Sequence, residues 1–285
     1  MMRILLVHQN FPGQFKNLAP ALARDPANQV VSFGMRDYVG PAPLRMVRYD
    51  IGRQSSPTTH PWVVELEAKV IRGEAAYRAG RALKAEGFAP ALIYAHPSWG
   101  ESIFLKDVWP DARLVLYCEF FYLHRGADVG FDPEFPVDER LLSRINSMNT
   151  INLLALSLEQ HGHTPTRWQL ERYPEWARGN IKLLPEGALL DTCKPDPKAH
   201  GKTLAIGDFR VTPKDRLVTY VARNLEPYRG FHTMMRALSP LLKARGDVKV
   251  VLVGGDDVSY GGRLANTTWR AHFQREQEGK YDTSR

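Results

Sequence analysis

Two arginines six positions apart, Arg223 and Arg229, bracket a short stretch between an apolar run and an amphipathic one. A guanidinium is a planar, permanently charged fork suited to phosphate oxygens. Cations held at a departing diphosphate stabilise the negative charge that develops in a transition state. The structural alternative is a pair of surface arginines matched to nearby acids. Gly254-Gly255 close the next apolar run and offer a second point of close backbone approach on the same edge.

Three further loops carry chemistry-bearing side chains. His8-Gln9-Asn10-Phe11-Pro12-Gly13-Gln14 follows the first apolar run, and a glycine there lets backbone approach an anion, or simply makes a turn. In Tyr94-Ala95-His96-Pro97-Ser98-Trp99-Gly100-Glu101, His96 sits where a strand ends, placed to bond a ligand or to serve as a capped structural histidine. Glu101 reads as a first-turn glutamate complementing the helix dipole. Cys118-Glu119-Phe120-Phe121-Tyr122 puts Glu119 after a buried strand, within reach of the same edge.

Other patterns exclude functions. There is no G-x-G-x-x-G and no G-x-x-x-x-G-K-[ST], so neither the dinucleotide fingerprint nor the P-loop is present. No G-x-S-x-G points to a serine hydrolase, and the lack of any Asp-x-Asp argues against the metal-dependent, single-domain sugar transferases. His161-Gly162-His163 has no further ligand at metal spacing and reads as a solvated loop; no metal site is expected.

The elements that must position these loops alternate short apolar runs with amphipathic stretches, the pattern of a parallel sheet covered by helices. Strands are predicted at Arg3–His8, Gln29–Phe33, Leu44–Tyr49, Ala91–Ala95, Arg113–Cys118, Asn152–Leu156 and Ile181–Leu184. Helices are predicted over Gln14–Arg24, Trp62–Glu86 with Gly87 ending it, from near Trp99, from Asp138 to Thr150, and after Thr164-Pro165-Thr166. From Lys194 to Pro213 the chain turns rich in Pro, Lys, Asp and Gly, as linkers do. A βαβ unit follows, with strand Leu217–Val221, helix Phe231–Ala244 and strand Lys249–Val253, then a helix around Leu264–Glu278. The expected organisation is a complete Rossmann-like domain over 1–195, a linker over 196–215 and a partial Rossmann-like domain over 216–285. Two strands and two helices would leave a sheet edge open, so the second domain is expected to be cut off in mid-sheet.

The 285 residues carry 38 basic and 31 acidic side chains, net +7, with 44% hydrophobic and 24% charged residues. That is a globular composition, and the basic balance favours anionic partners such as nucleotides, sugar phosphates or acidic headgroups. The basic residues are scattered rather than interleaved with aromatics, so no nucleic acid is expected. Cys118 and Cys193 form no C-x-x-C, and only a short apolar run precedes His8. A cytoplasmic protein is expected, with a peripheral contact at the inner membrane face left open.

Taken together, the loops resemble the family 4 retaining glycosyltransferases of GT-B fold. The likeness runs through Met2–Phe15, Tyr94–Glu101, Leu184-Pro185-Glu186-Gly187 with Lys194-Pro195, Arg223–Phe231 and Val251–Gly261, the Arg223…Arg229-Gly230 element being its most specific part. The resemblance implies two Rossmann-like domains across a cleft, the second holding a nucleotide diphosphate sugar and the first chiefly the acceptor, a glycan or lipid-linked molecule. It makes Arg223 and Arg229 the diphosphate clamp, with arginine at 229 where lysine is common. Gly13 and Gln14 would approach the donor phosphate or sugar, His96 would contact the transferred sugar or position the acceptor, and Glu186, Gly187, Gly254 and Gly255 would line the donor site. Retention is explained there by same-face attack within an ion pair, the leaving phosphate acting as base, with no cofactor and no metal. The family's E-x7-E pair has no counterpart here, which implies a chain truncated at its C-terminus, weakened in activity or completed by a second chain. A nucleotide-sugar 2-epimerase of the same fold, or an inactive glycan- or partner-binding fragment, are the alternatives.

Overall fold

The computed structural model describes residues 1–38, 40, 44–124, 126–127, 129–130, 132–137, 139–158 and 161–285. Contacts divide the chain into two compact units, Met1–Leu190 and Asp191–Arg285.

The first unit is built on strands β1 (Met2–Val7), β2 (Asn28–Gly34), β3 (Arg45–Arg48), β4 (Leu92–Ala95), β5 (Arg113–Tyr117), β6 (Gly162–Thr164) and β7 (Ile181–Leu183). Between them run helices α1 (Leu18–Arg24), α2 (Val64–Ala85), α3 (Leu105–Val108), α4 (Glu139–Leu158), α5 (Arg167–Arg172) and α6 (Glu175–Arg178). All seven strands are parallel, in the order β3-β2-β1-β4-β5-β6-β7. β1 is apolar without alternation because both its faces are buried. Leu5 and Val7 join Val31, Phe33, Ile93, Ala95, Leu114 and Leu116 under Ala75, Ala76 and Leu83 of α2 and Ala155 and Leu156 of α4. Ile4 and Leu6 face the other way, onto Phe11, Phe15 and Ala19. Each such aliphatic side chain taken fully from water contributes roughly 1.5–3 kcal/mol.

Helix α2 stops as its sequence requires. Gly87 takes φ +87°, its N–H donates to the Lys84 carbonyl at 2.9 Å, and the Phe88 N–H reaches the Leu83 carbonyl at 3.2 Å. This pair of bonds satisfies the last carbonyls of the helix. Gly100, at φ +101°, sits so close to α2 that a Cβ there would lie 2.2 Å from the Lys69 carbonyl oxygen. The loop after β4 is thereby seated directly on the helix backbone.

Two sequence expectations for the first unit are corrected. Asn152–Leu156 is helical, part of α4. Its short apolar run mimics a strand, but Ile145, Asn149, Asn152 and Leu156 recur at helical spacing and are all buried. The Asn149 amide accepts from the Tyr122 N–H at 2.9 Å, and the Asn152 amide donates to the Phe120 carbonyl at 3.1 Å. Asp138, expected to open this helix, lies outside the described residues. Conversely, Gly162-His163 is no solvated loop but strand β6, paired with Leu116 and Tyr117 of β5. A Cβ at Gly162 would stand 2.8 Å from the Cys118 sulfur, so a glycine, not an apolar residue, completes the sheet there. Thr166 then caps α5 by accepting the Gln169 N–H at 3.2 Å.

The second unit begins, within the stretch expected as a linker, with an antiparallel hairpin of β8 (Leu204–Ile206) and β9 (Phe209–Val211). Strand β10 (Arg216–Asn224), helix α7 (Phe231–Ala244), strand β11 (Val248–Gly255) and helix α8 (Trp269–Glu276) follow. β10 and β11 pair in parallel from Arg216↔Val248 to Asn224↔Gly255. Phe231, Met235, Leu238 and Leu242 form the buried stripe of α7. α8 is shorter than the expected Leu264–Glu278 because Thr268 caps it, accepting the Ala271 N–H at 3.1 Å. Arg236 of α7 holds Glu276 of α8 with two bonds of 2.8 and 2.9 Å.

Candidate functional site

In the first unit the strand order reverses between β1 and β4. Loops leaving the carboxyl ends of strands diverge at such a switch point and leave room for a ligand. Three of the loops singled out in the sequence meet there. His96, buried with 2% exposure, lies with Nε2 2.8 Å from Glu119 Oε2. Its Nδ1 accepts the Ser98 N–H at 3.3 Å, which assigns the ring proton to Nε2 and makes that atom the donor to Glu119. Gln14 Nε2 donates to the same carboxylate oxygen at 2.9 Å. Burial pushes the Glu119 carboxyl up, but the bonds from His96 and Gln14 outweigh it and hold the group below the usual carboxylate range.

His8, at the end of β1, completes the cluster. Its ring stands edge-on to His96 with centroids 5.4 Å apart, and its Nδ1 accepts the Asn10 N–H at 3.0 Å. Burial, and then the neighbouring His96, push His8 down to about 4, so the ring is neutral at pH 7. Gly13, at φ +47°, owes its type to this ring: a Cβ would fall 2.5–2.7 Å from three atoms of the imidazole. Glu101 is wholly buried and accepts the Tyr49 hydroxyl, tying the loop after β4 to the end of β3; burial raises its carboxyl above the usual range. Glu186 is exposed and accepts the Tyr117 hydroxyl, and the Tyr117 ring stacks on His96 at 5.7 Å and 27°. Gly187, at φ +76°, has nothing within 4 Å of where a Cβ would be.

In the second unit, Arg223 and Arg229 lie at the carboxyl end of β10 and in the turn after it. Arg223 is exposed and its side chain makes no hydrogen bond or ion pair among the described residues. Arg229 is held from several sides. Its Nε lies 3.6 Å from Glu226 Oε1, its guanidinium is 5.3 Å from the centre of the Tyr260 ring, and its carbonyl accepts the Tyr220 hydroxyl at 2.8 Å. Glu226 is wholly buried and accepts the N–H groups of Ser259 at 2.6 Å and Tyr260 at 3.4 Å. Asn224 donates to the Ser259 hydroxyl at 2.7 Å. The loop after β11 is thus pinned to the loop after β10. Gly254 and Gly255 allow this closeness, since Cβ atoms would fall 2.7 Å from Leu225 and 2.9 Å from the Asn224 side chain.

The sequence-selected residues therefore fall into two groups. Gly13, Gln14 and His96 gather at the switch point, with Glu186 joined through Tyr117; Arg223, Arg229, Gly254 and Gly255 gather at the carboxyl ends of β10 and β11. His8, Glu119 and Glu226 are the partners that sequence reasoning left out of the site. Glu119 showed a signal, an acid directly after a buried strand. Glu226, an acid between Leu225 and Pro227, showed none.

A parallel sheet with a polar cluster at its switch point, followed by a second βαβ unit with cations at its strand ends, defines a Rossmann-like α/β protein of GT-B type. Solved structures agree with that class. The catalytic domain of starch synthase IV from Arabidopsis thaliana, bound to ADP and acarbose, aligns with a TM-score of 0.52 at 14% identity, covering 98% of this chain and 71% of that one. A UDP-glucosyltransferase from Polygonum tinctorium, in complex with 3,4-dichloroaniline, aligns at 0.50 and 11% identity, covering 99% and 71%. HepE from Anabaena, in complex with UDP, aligns at 0.50 and 13% identity, covering 89% of this chain but only 61% of its own, so the present chain spans less than two thirds of that protein. The curated proteins contain no match to the chain. The sequence model of the glycosyl transferase family 4 group matches residues 26–193, more than half of the 285 residues, and the chain belongs to that family. Among the described residues no helix is long and apolar enough to cross a membrane.

Proposed function

We propose that the chain serves the metal-independent transfer of a hexosyl group from a nucleotide diphosphate sugar to a glycan or lipid-linked acceptor, with retention of configuration. The observation that carries the reading is Arg229, fixed by the buried Glu226 and by Tyr260 in the turn after β10, with Arg223, whose side chain has no partner among the described residues, near the end of that strand. Such a pair suits the charge that builds on a departing diphosphate, with Gly254 and Gly255 keeping the adjoining backbone close. Gly13, Gln14 and His96 then serve the sugar and acceptor side, flanked by Glu186 and Gly187. No cofactor is needed beyond the donor substrate.

Retention is supported by the basicity of the first cluster. Inverting transfer calls on a general base, which is most efficient when its pKa lies near the working pH. His8, pushed down to about 4, and Glu119, held below the usual carboxylate range, are both weak bases at pH 7. The departing phosphate is a fitting alternative. A net charge of +7 suits work at an anionic membrane face on a lipid-linked acceptor.

The test is transfer from UDP-, GDP- and ADP-hexoses to glycan and polyprenyl-phosphate-linked acceptors, with the new anomeric centre read by proton NMR. A product of inverted configuration removes retention. A donor epimerised without acceptor product replaces transfer by 2-epimerisation, the chemistry that the histidines and carboxylate of the first cluster would then have to supply.

A further inference from the structure

At the switch point of the first unit, the side chain that reaches solvent is not one of those the family resemblance marked. His96 has both ring nitrogens engaged and is 2% exposed, so it has no hydrogen-bonding capacity left for a ligand. The position a side chain at Gly13 would take is filled by the His8 ring. Glu119 differs. Its side chain is 35% exposed. Its Oε2 receives both His96 and Gln14, while its Oε1 has no partner among the described residues and is not sealed from solvent.

The residue is also rigid. Its N–H donates to the Tyr117 carbonyl at 3.0 Å, and its own carbonyl accepts Gln169 Nε2 at 3.0 Å. Backbone and one carboxylate oxygen are fixed, so the second oxygen has a set direction. Preorganisation of this kind lowers the entropy lost on binding. The local charge selects the ligand. With the His8 ring neutral and the Glu119 carboxyl held below the usual carboxylate range, Glu119 brings negative charge to the cluster. An ionised oxygen accepts hydrogen bonds and repels phosphate, and a ring hydroxyl supplies the donor without bringing negative charge.

We propose that Glu119 Oε1 anchors a hydroxyl of a neutral sugar ring at the end of β5, with His96 and Gln14 as positioning residues that aim it. The site takes the sugar and not the diphosphate, which assigns the Gly13–Gln14 loop to the ring rather than to a donor phosphate. Its part in transfer rests on the proposed transferase function; the binding itself does not. The ring could come from the donor or from the acceptor, and the test separates the two sources.

The experiment is an NMR titration of the 15N-labelled chain, reading the His96 ring nitrogens and the amides of Gln14, Ser98 and Glu119. The probes are methyl α-glucoside, α-mannoside and α-galactoside, then UDP, GDP and ADP, then UDP-glucose and GDP-mannose. A simple glycoside moving these signals identifies the acceptor side; movement with a nucleotide sugar alone identifies the donor side. Glu119→Gln, with an otherwise native amide spectrum, is expected to weaken that binding roughly ten- to hundred-fold, the size of a lost charge-assisted bond. Should that variant fail to fold, Gln14→Ala carries the test, with a several-fold weakening expected. Equal affinity in wild type and variant, no response to any sugar, or a response to the nucleoside diphosphates alone overturns the inference. Diphosphates that bind elsewhere while no sugar moves the cluster leave the transferase function intact and remove the sugar site. Sugars that bind while no nucleotide does keep the sugar site and count against the transferase function.

Discussion

Glu226 and Arg229 form a pair in which only one member is buried: the carboxylate is wholly enclosed and the arginine side chain is 40% exposed, with 3.6 Å between Oε1 and Nε. The acid's other oxygen is occupied by the Ser259 and Tyr260 N–H groups. Its first duty is therefore to the loop after β11, and the arginine is aligned as a consequence. Glu226→Ala leaves two amides without their acceptor, and a charged acceptor of this kind is worth roughly 2–3 kcal/mol. Glu226→Gln keeps an acceptor oxygen and should cost less than half as much. Urea denaturation of the two variants decides the matter, and equal losses would show that the amide bonds are not what the acid supplies.

For Arg229 the expected effect lies in turnover. If it meets the departing diphosphate, Arg229→Ala should lower kcat on the order of 100-fold, the loss seen when a preorganised transition-state donor is removed. Arg229→Lys keeps the charge but not the planar fork or its stacking on Tyr260, and should fall between. Arg223→Ala should act mainly through donor KM if that side chain binds ground state and transition state alike. Steady-state kinetics in donor concentration separate these outcomes. Wild-type kcat in Arg229→Ala would remove the arginine from the reaction.

Some of this was readable from the chain and some was not, for local reasons. α7 was legible to its ends because Phe231, Met235, Leu238 and Leu242 repeat at helical spacing, and β1 because an unbroken apolar run has few other homes. β6 was hidden because Gly162 and Thr164 fill a buried strand with little hydrophobic surface. The carboxyl end of α4 was misread because a short apolar run says less about period than the polar Asn149 and Asn152 that face inward to bond backbone. In the site, residues in the loops that leave strand ends, such as His96 and Gln14, could be picked out individually. Their partners could not, because pairing His96 with Glu119 or Arg229 with Glu226 depends on side-chain direction, which periodicity does not carry.

Gly100 makes a structural prediction with no appeal to function. It combines φ +101° with a Cβ position 2.2 Å from the Lys69 carbonyl oxygen, which belongs to helix backbone and cannot turn aside. Gly100→Ala must therefore strain the loop and push it off α2 together. A cost of about 3 kcal/mol is expected from backbone strain and overpacking combined. Because His96 opens the same loop, the bond to Glu119 should loosen too, visible as a shifted His96 ring signal. A variant as stable as wild type would mean that α2 yields more easily than its buried packing implies.

His8 predicts a pH dependence of stability. Burial, with His96 second, lowers its pKa from 6.5 to about 4, so the folded state resists a proton that the unfolded chain accepts. Between pH 6.5 and 4 the unfolded state binds more protons, and stability must fall as pH falls through that window. Above that window both states are neutral at this position and its contribution is flat. The slope approaches about 1.4 kcal/mol per pH unit, which across the window amounts to about 3 kcal/mol. His8→Gln keeps a side chain that can accept the Asn10 N–H and removes the titration. Denaturation midpoints measured from about pH 7.5 to about 4, spanning that window, should fall less steeply in the variant than in wild type. Parallel curves would show that His8 can take up a proton without unfolding, and would return it to consideration as a working base at the end of β1.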